Sequence, residues 1–245
     1  LLEKLPATVE KVAVLDRTKE SGAEGEPLLL DVQSALYQHE NRPIVIGGRY
    51  GLGSKDVAPN QIKAIYDHLL LPFKELKQRF TVGIVDDVTY QSLPEEPTLD
   101  LTPDTTFQAK FWGFGSDGTV GANKSAIKII GDHTDKYAQG FFYYDSKKSG
   151  GLTVSHLRFG ETSIRSTYLI EHSDFVACHT AAYLHTYDLV KGLKKGGTFL
   201  LNTIWNDEQL ARFLPNQLKR YLAENEIQFY TINAVKLASE VGLGG

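Results

Sequence analysis

Apolar and polar positions alternate in blocks along the first hundred residues, and the period of each block predicts an element. Short, mostly apolar runs, typical of buried strands, occur at residues 12–15, 44–46 and 80–85. Between these runs, apolar residues three or four positions apart predict helices over residues 27–38 and from Pro59 onward, each with a proline near its start. Strands that alternate with helices at short spacing predict a parallel sheet covered by helices.

The second half of the chain repeats this alternation. The predicted strands are 106–112, 138–144, 152–159, 175–178, 198–202 and 227–232, of which 152–159 has the alternating pattern of a half-buried strand. The predicted helices follow a glycine-rich turn near residue 118, span 181–193, flank Pro215 on both sides and span 234–241. The pattern therefore predicts a second α/β region.

A polar segment with Pro94, Pro97 and Pro103 separates the two regions and has no helical periodicity. Segments of this composition commonly join domains. We therefore expect an α/β fold of two domains with mostly parallel sheets covered by helices. The first domain would span residues 1–95, a linker 96–105, and the second domain 106–245.

Composition narrows the possible functions. A net charge of −4 and a pI near 6.0 argue against a nucleic-acid partner, which would need a concentrated basic face. No apolar run approaches the ~20 residues that span a bilayer, and no signal peptide is evident, so no membrane partner is expected. The single cysteine, Cys178, excludes an internal disulfide and a Cys-rich metal site, and it fits a cytoplasmic location. Because the 245 residues include no Met, we interpret the chain as a piece of a longer protein.

The most informative segment is the glycine-rich turn that follows strand 106–112. Gly113-Phe-Gly115-Ser-Asp-Gly118 matches the pattern G-x-G-x-x-G between a strand and a helix. In that setting the glycines allow a tight turn, a close approach to phosphate and close packing of helix on strand, while the first helical amides face an anion. The alternative is a turn that only reverses the chain.

Three lysines could add positive charge to this turn. Lys124 lies on the following helix, and Lys147 and Lys148 lie in the loop 145–151. With the amides of residues 116–119 they could bind a polyphosphate, although surface lysines are often merely solvated. Asp145 occupies the place of the acidic residue that binds ribose in dinucleotide sites, but the adjacent lysines suit phosphate better.

The other polar candidates favour structural roles. His156 and Arg158 point to one face of a strand and could bind an anion or make structural hydrogen bonds. Three of the histidines, His172, His179 and His185, lack metal-ligand spacing. Cys178 and His179 are adjacent and so point to opposite faces of a strand, which argues against a Cys/His nucleophile pair. We therefore predict no catalytic and no metal-binding residue. In the first domain, Asp16, Arg17 and Arg49 end strands, and we favour salt bridges for them over a ligand site.

Seven segments together resemble pyruvate:ferredoxin (flavodoxin) oxidoreductase, in the order of that family. They are Val14–Lys19, Gly25–Pro27, Gly47–Ser54, Gly115–Lys124, Asp145–Gly151, Ser155–Gly160 and Thr231–Ala234. The resemblance covers essentially the whole chain. Residues up to about 95 resemble the end of the transketolase C-terminal-like domain, and residues from about 106 resemble the γ-type domain of the family.

The resemblance implies oxidative decarboxylation of pyruvate with coenzyme A, and electron transfer to ferredoxin or flavodoxin. It implies that thiamine diphosphate, Mg²⁺ and the [4Fe–4S] clusters are held by other domains of the same enzyme, that the intact enzyme is a homodimer, and that this part alone is inactive. We expect this part to contribute to assembly and to the CoA site. The residues expected to bind CoA are Gly115, Ser116, Asp117, Gly118, Thr119, Asn123, Lys124, Lys147 and Lys148.

Two alternatives stay open. The chain could be a structural or dimer-forming module whose glycine turn binds no ligand. Less favoured is an NAD-dependent dehydrogenase domain, because the basic loop that follows the second strand does not suit an unmodified ribose.

Overall fold

The computed structural model describes residues 2–40, 42–145 and 151–243, and it divides into two compact units, Leu1–Leu101 and Thr102–Gly245. Each unit is built from a sheet and the helices that pack on it. In the described part of the chain, no helix combines the length and the apolar character that crossing a bilayer requires.

Unit 1 contains a three-stranded parallel sheet in the order β1-β2-β3. The strands are β1 (Lys11–Asp16), β2 (Ile44–Arg49) and β3 (Arg79–Thr81), and the helices are α1 (Pro27–Tyr37) and α2 (Pro59–Leu70). Val14 packs with buried residues of α1, whereas its neighbours Ala13 and Leu15 pack in the cluster that contains Ala64 and Ile65 of α2. Because successive strand residues point to opposite faces, α1 and α2 cover opposite faces of this sheet.

The predicted start and the predicted buried face of helix α1 are both confirmed. Pro27 occupies the first turn, where a missing N–H costs nothing. The Asp16 carboxylate accepts hydrogen bonds at 3.1 Å from the amides of Leu28 and Leu29, which a helix start leaves unpaired. Leu29, Val32 and Leu36, the apolar residues spaced three and four positions apart in this segment, are all buried. Thus the last residue of β1 fixes where α1 begins.

Unit 2 contains a six-stranded sheet in the order β5-β6-β4-β7-β8-β9. Its strands are β4 (Phe107–Phe114), β5 (Tyr137–Tyr144), β6 (Leu152–Gly160), β7 (Ser173–Cys178), β8 (Leu193–Asn202) and β9 (Gln228–Ile232). Its helices are α3 (Thr119–His133), α4 (Asp207–Phe213), α5 (Asn216–Glu224) and α6 (Ala234–Glu240). Strands β4, β7, β8 and β9 are parallel, and β6 is antiparallel to both β4 and β5. The α/β class with mostly parallel sheets is confirmed.

The helix predicted over 181–193 is wrong. A 3-10 helix spans only Ala181–His185, and β8 begins at Leu193, inside the predicted helix. The buried apolar residues Leu184, Leu189, Val190 and Leu193 are spaced by five, one and three positions, which does not keep them on one helical face. In addition, Gly192 has φ +77°, a left-handed conformation that no helix contains.

The prediction of a half-buried strand at 152–159 is also wrong, because β6 is buried on both faces. It lies between β4 and β5, so it has no free edge. Helix α3 covers the face with Leu157, and the opposite face is equally buried at His156 and Arg158. Apolar–polar alternation predicts exposure of one face only where polar side chains reach water. Here the side chains of His156 and Arg158 form hydrogen bonds inside the unit instead.

Candidate functional site

The carboxyl ends of β4, β7, β8 and β9 lie at one edge of the unit 2 sheet, because these strands are parallel. From β4 the chain continues to β5 and β6 on one side, whereas β7, β8 and β9 lie on the other side. The strand order therefore reverses between β4 and β7. In open α/β sheets, ligands bind in the crevice at such a point.

The predicted glycine-rich turn joins β4 to α3 at this edge. Ser116 and Gly118 have φ +75° and +86°, so both adopt the left-handed conformation that tightens the turn. Gly113 lies directly beneath Thr119, and a Cβ atom placed there would come within 2.7 Å of Thr119 Cβ. A side chain at position 113 would thus push the start of α3 away from β4.

The carboxylate of Asp117 occupies the inside of this turn. Its Oδ2 accepts a hydrogen bond from the amide of Phe114 at 2.7 Å, and its Oδ1 accepts one from the amide of Thr119 at 2.8 Å. Desolvation favours a higher pKa for Asp117, but hydrogen bonds from Thr119 and Phe114 outweigh it and hold the pKa below its usual range. An anion is therefore already present where the turn presents its amides.

The β5–β6 hairpin lies beside the turn. The amide of Gly115 donates to the carbonyl of Gly151 at 2.7 Å, and the amide of Asp145 donates to the carbonyl of Leu152 at 2.9 Å. The predicted phosphate-binding residues Lys147 and Lys148 lie between these flanks, outside the described residues. The ends of the loop 145–151, hereafter the lysine loop, therefore lie next to the glycine turn.

A cavity of about 330 Å³ opens at the same edge. It is lined by Asp117, Cys178, His179, Leu200, Asn202, Ile232 and Ala234. His179 Nδ1 lies 2.6 Å from Thr119 Oγ1, and the Asn202 side chain donates to the His179 carbonyl at 3.1 Å. Asn202 Oδ1 also accepts from the amide of Ala234 at 3.0 Å. The ends of β4, β7, β8 and β9 are in this way joined around the cavity.

Burial sets the charge state of the groups in the cavity. It lowers the pKa of His179, which Asp117 only partly opposes, so the imidazole is neutral near pH 7. Burial also raises the pKa of Cys178 to about 11, and its thiol donates to the carbonyl of Thr180. Cys178 is therefore a protonated thiol at neutral pH and not an activated nucleophile. The cavity combines one carboxylate and one neutral imidazole with the apolar walls of Leu200 and Ile232.

The predicted site residues that the structure describes fall into three groups. Gly115, Ser116, Asp117, Gly118 and Thr119 form one continuous turn. Lys124 is exposed on α3, with its Nζ 5.5 Å from the ring centroid of Phe142. Asn123 is different, since it is only 4% exposed and faces the sheet beneath α3. In this structure its side chain is not part of the surface that the turn presents.

The structure brings two residues to the site that the sequence does not predict there. The sequence favours a structural role for His179 and predicts no role for Asn202. Both come directly at the end of buried parallel strands, β7 and β8, which is the position where ligands of α/β sheets gather. Their position at strand ends is a signal that the sequence does contain. Local sequence does not show, however, which strands lie next to each other and therefore which strand ends share a site.

The remaining candidates have structural partners. Arg158 is 1% exposed and donates to Gln108, Gln139 and the carbonyl of Tyr168 at 2.9–3.0 Å. His156 accepts from the amide of Ile170 at 3.2 Å. In unit 1, Arg49 pairs with Glu26 at 2.6 Å, Arg17 donates to the carbonyl of Gly51, and Asp16 caps α1. Structural roles are therefore present for all five residues. Of the salt bridges expected in unit 1, however, only that of Arg49 is found among the described contacts, whereas Arg17 and Asp16 bond to backbone groups.

Comparison with known proteins shows which family this chain is similar to. The profile of the family "Pyruvate ferredoxin/flavodoxin oxidoreductase" matches residues 108–245, nearly all of unit 2. A pyruvate-flavodoxin oxidoreductase of Klebsiella pneumoniae is 59% identical over 243 residues, which are 99% of this chain and 21% of that protein. The pyruvate:ferredoxin oxidoreductase of Moorella thermoacetica is 55% identical over 243 residues, with the same coverage.

Among solved structures, the pyruvate oxidoreductase subunit PORC of Thermotoga maritima aligns with a TM-score of 0.43 and 19% identity, over 56% of this chain and 66% of that subunit. The family profile covers more than half of this chain. The chain therefore belongs to the pyruvate ferredoxin/flavodoxin oxidoreductase family. It spans about a fifth of the length of the curated relatives it matches.

Proposed function

We propose that this chain is a central part of a 2-oxoacid:ferredoxin or flavodoxin oxidoreductase, and that unit 2 contributes to its CoA site. The whole enzyme would convert pyruvate and CoA into acetyl-CoA and carbon dioxide and pass two electrons to ferredoxin or flavodoxin. The contribution of unit 2 to the CoA site rests on one observation. At one edge of its sheet, the glycine turn lies next to the flanks of the lysine loop and to the cavity at His179. The family membership supports the reaction.

We propose that this chain does not itself hold the cofactors of the whole enzyme. A [4Fe–4S] cluster needs four ligands of the cysteine type, and the chain has one cysteine, whose thiol is buried. Within the described ranges, no group of three or more His, Cys, Asp and Glu side chains is arranged to hold a metal ion. We therefore propose that thiamine diphosphate, Mg²⁺ and the clusters are held by other domains of the same enzyme, and that this chain alone is inactive.

The charges at the edge divide the proposed CoA site into two parts. Asp117 is ionised and faces the cavity, so a phosphate placed beside it would be repelled. We place the phosphates on the other side of the turn, towards Lys124 and the loop of Lys147 and Lys148. The cavity at His179 would then receive an uncharged, hydrogen-bonding portion of CoA, for which a carboxylate and a neutral imidazole are suitable partners.

The main alternative is a structural or dimer-forming module whose turn binds no ligand. The observation that favours it is the Asp117 carboxylate, which already satisfies two amides of the turn. An NAD site has less support. In a dinucleotide fold the acidic residue ends the strand next to the glycine turn, whereas here β6 lies between β4 and β5, and Asp145 follows β5.

The test is a calorimetric titration of the chain with CoA, dephospho-CoA and NAD at low salt. We expect CoA to bind more tightly than dephospho-CoA, and Lys147→Ala/Lys148→Ala to weaken CoA binding by about tenfold or more, because charged hydrogen bonds to phosphate are lost. Lys128→Ala, an exposed lysine on α3, is the matched control and should leave the affinity unchanged.

Three outcomes would each count against a part of this proposal. Equal affinities for CoA and dephospho-CoA, unchanged in the double variant, would exclude the phosphate contacts. Binding of NAD without binding of CoA would favour the dehydrogenase alternative. Absence of binding by every ligand would favour the structural module for the isolated chain.

A further inference from the structure

Helix α3 rests on the sheet at two glycines, one beneath its first residue and one beneath its middle. Thr119 lies over Gly113 of β4, and Ile127 lies over Gly140 of β5. Strand β6 runs between β4 and β5. The helix therefore crosses over β6 between these two contacts.

The crossing point falls at Ser155. This residue pairs with Phe111 of β4 and Phe142 of β5, and Lys124 of α3 lies over the Phe142 ring at 5.5 Å. The second turn of α3 is therefore at the level of Ser155. Asn123, the residue before Lys124, is one helical turn after Thr119 and so shares its inward face.

Polar atoms without partners collect at this interface. Asn123, Thr153 and Ser155 are 4%, 5% and 0% exposed, and the two hydroxyl residues share the face of β6 with Leu157. Within the ranges that the structure describes, Asn123 Nδ2, Thr153 Oγ1 and Ser155 Oγ have no hydrogen-bond partner. Buried polar atoms are almost always bonded to protein or to ordered water, because leaving them unpaired is costly.

We propose that Asn123, Ser155 and Thr153 enclose an internal water molecule between α3 and β6. An internal water makes about three hydrogen bonds to polar groups that otherwise lack partners, and these three side chains offer that number. The site is independent of the proposed CoA function. It gives Asn123 a different role from the ligand contact expected from sequence: through this water it holds the helix that follows the glycine turn on the sheet.

The direct test is a high-resolution crystal structure of the chain, with oxygen-17 relaxation dispersion to count long-lived internal waters in solution. We expect density about 2.7–3.2 Å from Asn123 Nδ2 and from at least one of the two hydroxyls. In Asn123→Leu, which has a similar volume and no polar atom, the number of long-lived waters should fall by about one. Ser125→Ala, on the exposed side of α3, is the matched control and should keep the wild-type number.

A direct hydrogen bond between Asn123 and Ser155 or Thr153, with no density between the side chains, would overturn the proposal. An unchanged water count in Asn123→Leu would do the same. If Asn123→Leu does not fold, the wild-type density alone decides between a water and a direct bond.

Discussion

The carboxyl edges of the two sheets carry similar residues and use them differently. In unit 1, Asp16 caps α1, and Glu26 pairs with Arg49 at 2.6 Å. In unit 2, Asp117 closes its own turn, and the strand ends beyond it surround a cavity of about 330 Å³ lined by His179. Charged residues at strand ends therefore do not by themselves mark a site. What matters is whether their partners leave space between the strands.

The unit 1 edge should matter for stability and not for the ligand. Glu26 is 2% exposed, and Arg49 Nε is 2.6 Å from its Oε1. In Arg49→Ala the carboxylate stays buried without its partner, which we expect to lower the free energy of unfolding by about 3 kcal/mol. Urea denaturation measures this change, and calorimetry should show unaltered CoA affinity.

The matched control for this variant is Arg42→Ala. Arg42 is exposed, donates to the His39 carbonyl and lies over the Tyr37 ring, so its removal should change the free energy of unfolding by about 0.5 kcal/mol or less. Equal destabilisation by the two variants would mean that the pair with Glu26 is not what holds this edge together. Loss of CoA affinity in Arg49→Ala alone would contradict the division of roles between the units.

Sequence predicted the parts of this comparison that depend on local chemistry. The start of α1 at Pro27 and the strand–turn–helix around Gly113 follow from short-range constraints, and both are present. The helix predicted after Cys178 is wrong, because this segment is rich in apolar residues that do not have helical spacing. The cavity at His179 and Asn202 depends on which strands become neighbours, and no local pattern carries that information.

The next largest effect is expected at Gly113. A Cβ atom there would come within 2.7 Å of Thr119 Cβ, so Gly113→Ala must displace α3 from β4. We expect the free energy of unfolding to fall by about 1–3 kcal/mol, as for an overpacked core, and CoA affinity to fall with it. Urea denaturation and calorimetry measure the two changes.

Gly121→Ala on the same helix is the control for Gly113→Ala. Apart from its chain neighbours and the backbone of its own helix, no described atom lies within 4 Å of a Cβ placed at Gly121. Alanine also favours helix over glycine by about 1 kcal/mol. This variant should therefore be as stable as the wild type or more stable. If both variants had the same effect, close packing of α3 on β4 would not be the reason for the glycine at 113.

The smallest effect is expected at Asp117, and it should depend on pH. Its pKa in the folded chain is lowered, so its stabilising contribution is present above the unfolded pKa of about 4 and is lost as the pH falls through the lower folded pKa. Asp117→Asn should lower the free energy of unfolding at pH 7 by about 1 kcal/mol, as for a lost cap. Urea denaturation from pH 7 to 3 should show this difference shrinking below about pH 4.

Asp132→Asn, an exposed residue near the end of α3, is the comparison for this pH series. A stability difference between the wild type and Asp117→Asn that is as large at pH 3 as at pH 7 would show that the carboxylate charge does not hold the turn.

We propose that the carboxyl edge of unit 2 binds the phosphates of CoA through Lys147 and Lys148, which follow the described residue Asp145. The most direct measurement is the Michaelis constant for CoA of the full-length enzyme carrying Lys147→Ala/Lys148→Ala, at saturating pyruvate. We predict that the constant rises by about tenfold or more, with kcat little changed, because binding energy common to ground and transition states is lost. An unchanged Michaelis constant would contradict the claim.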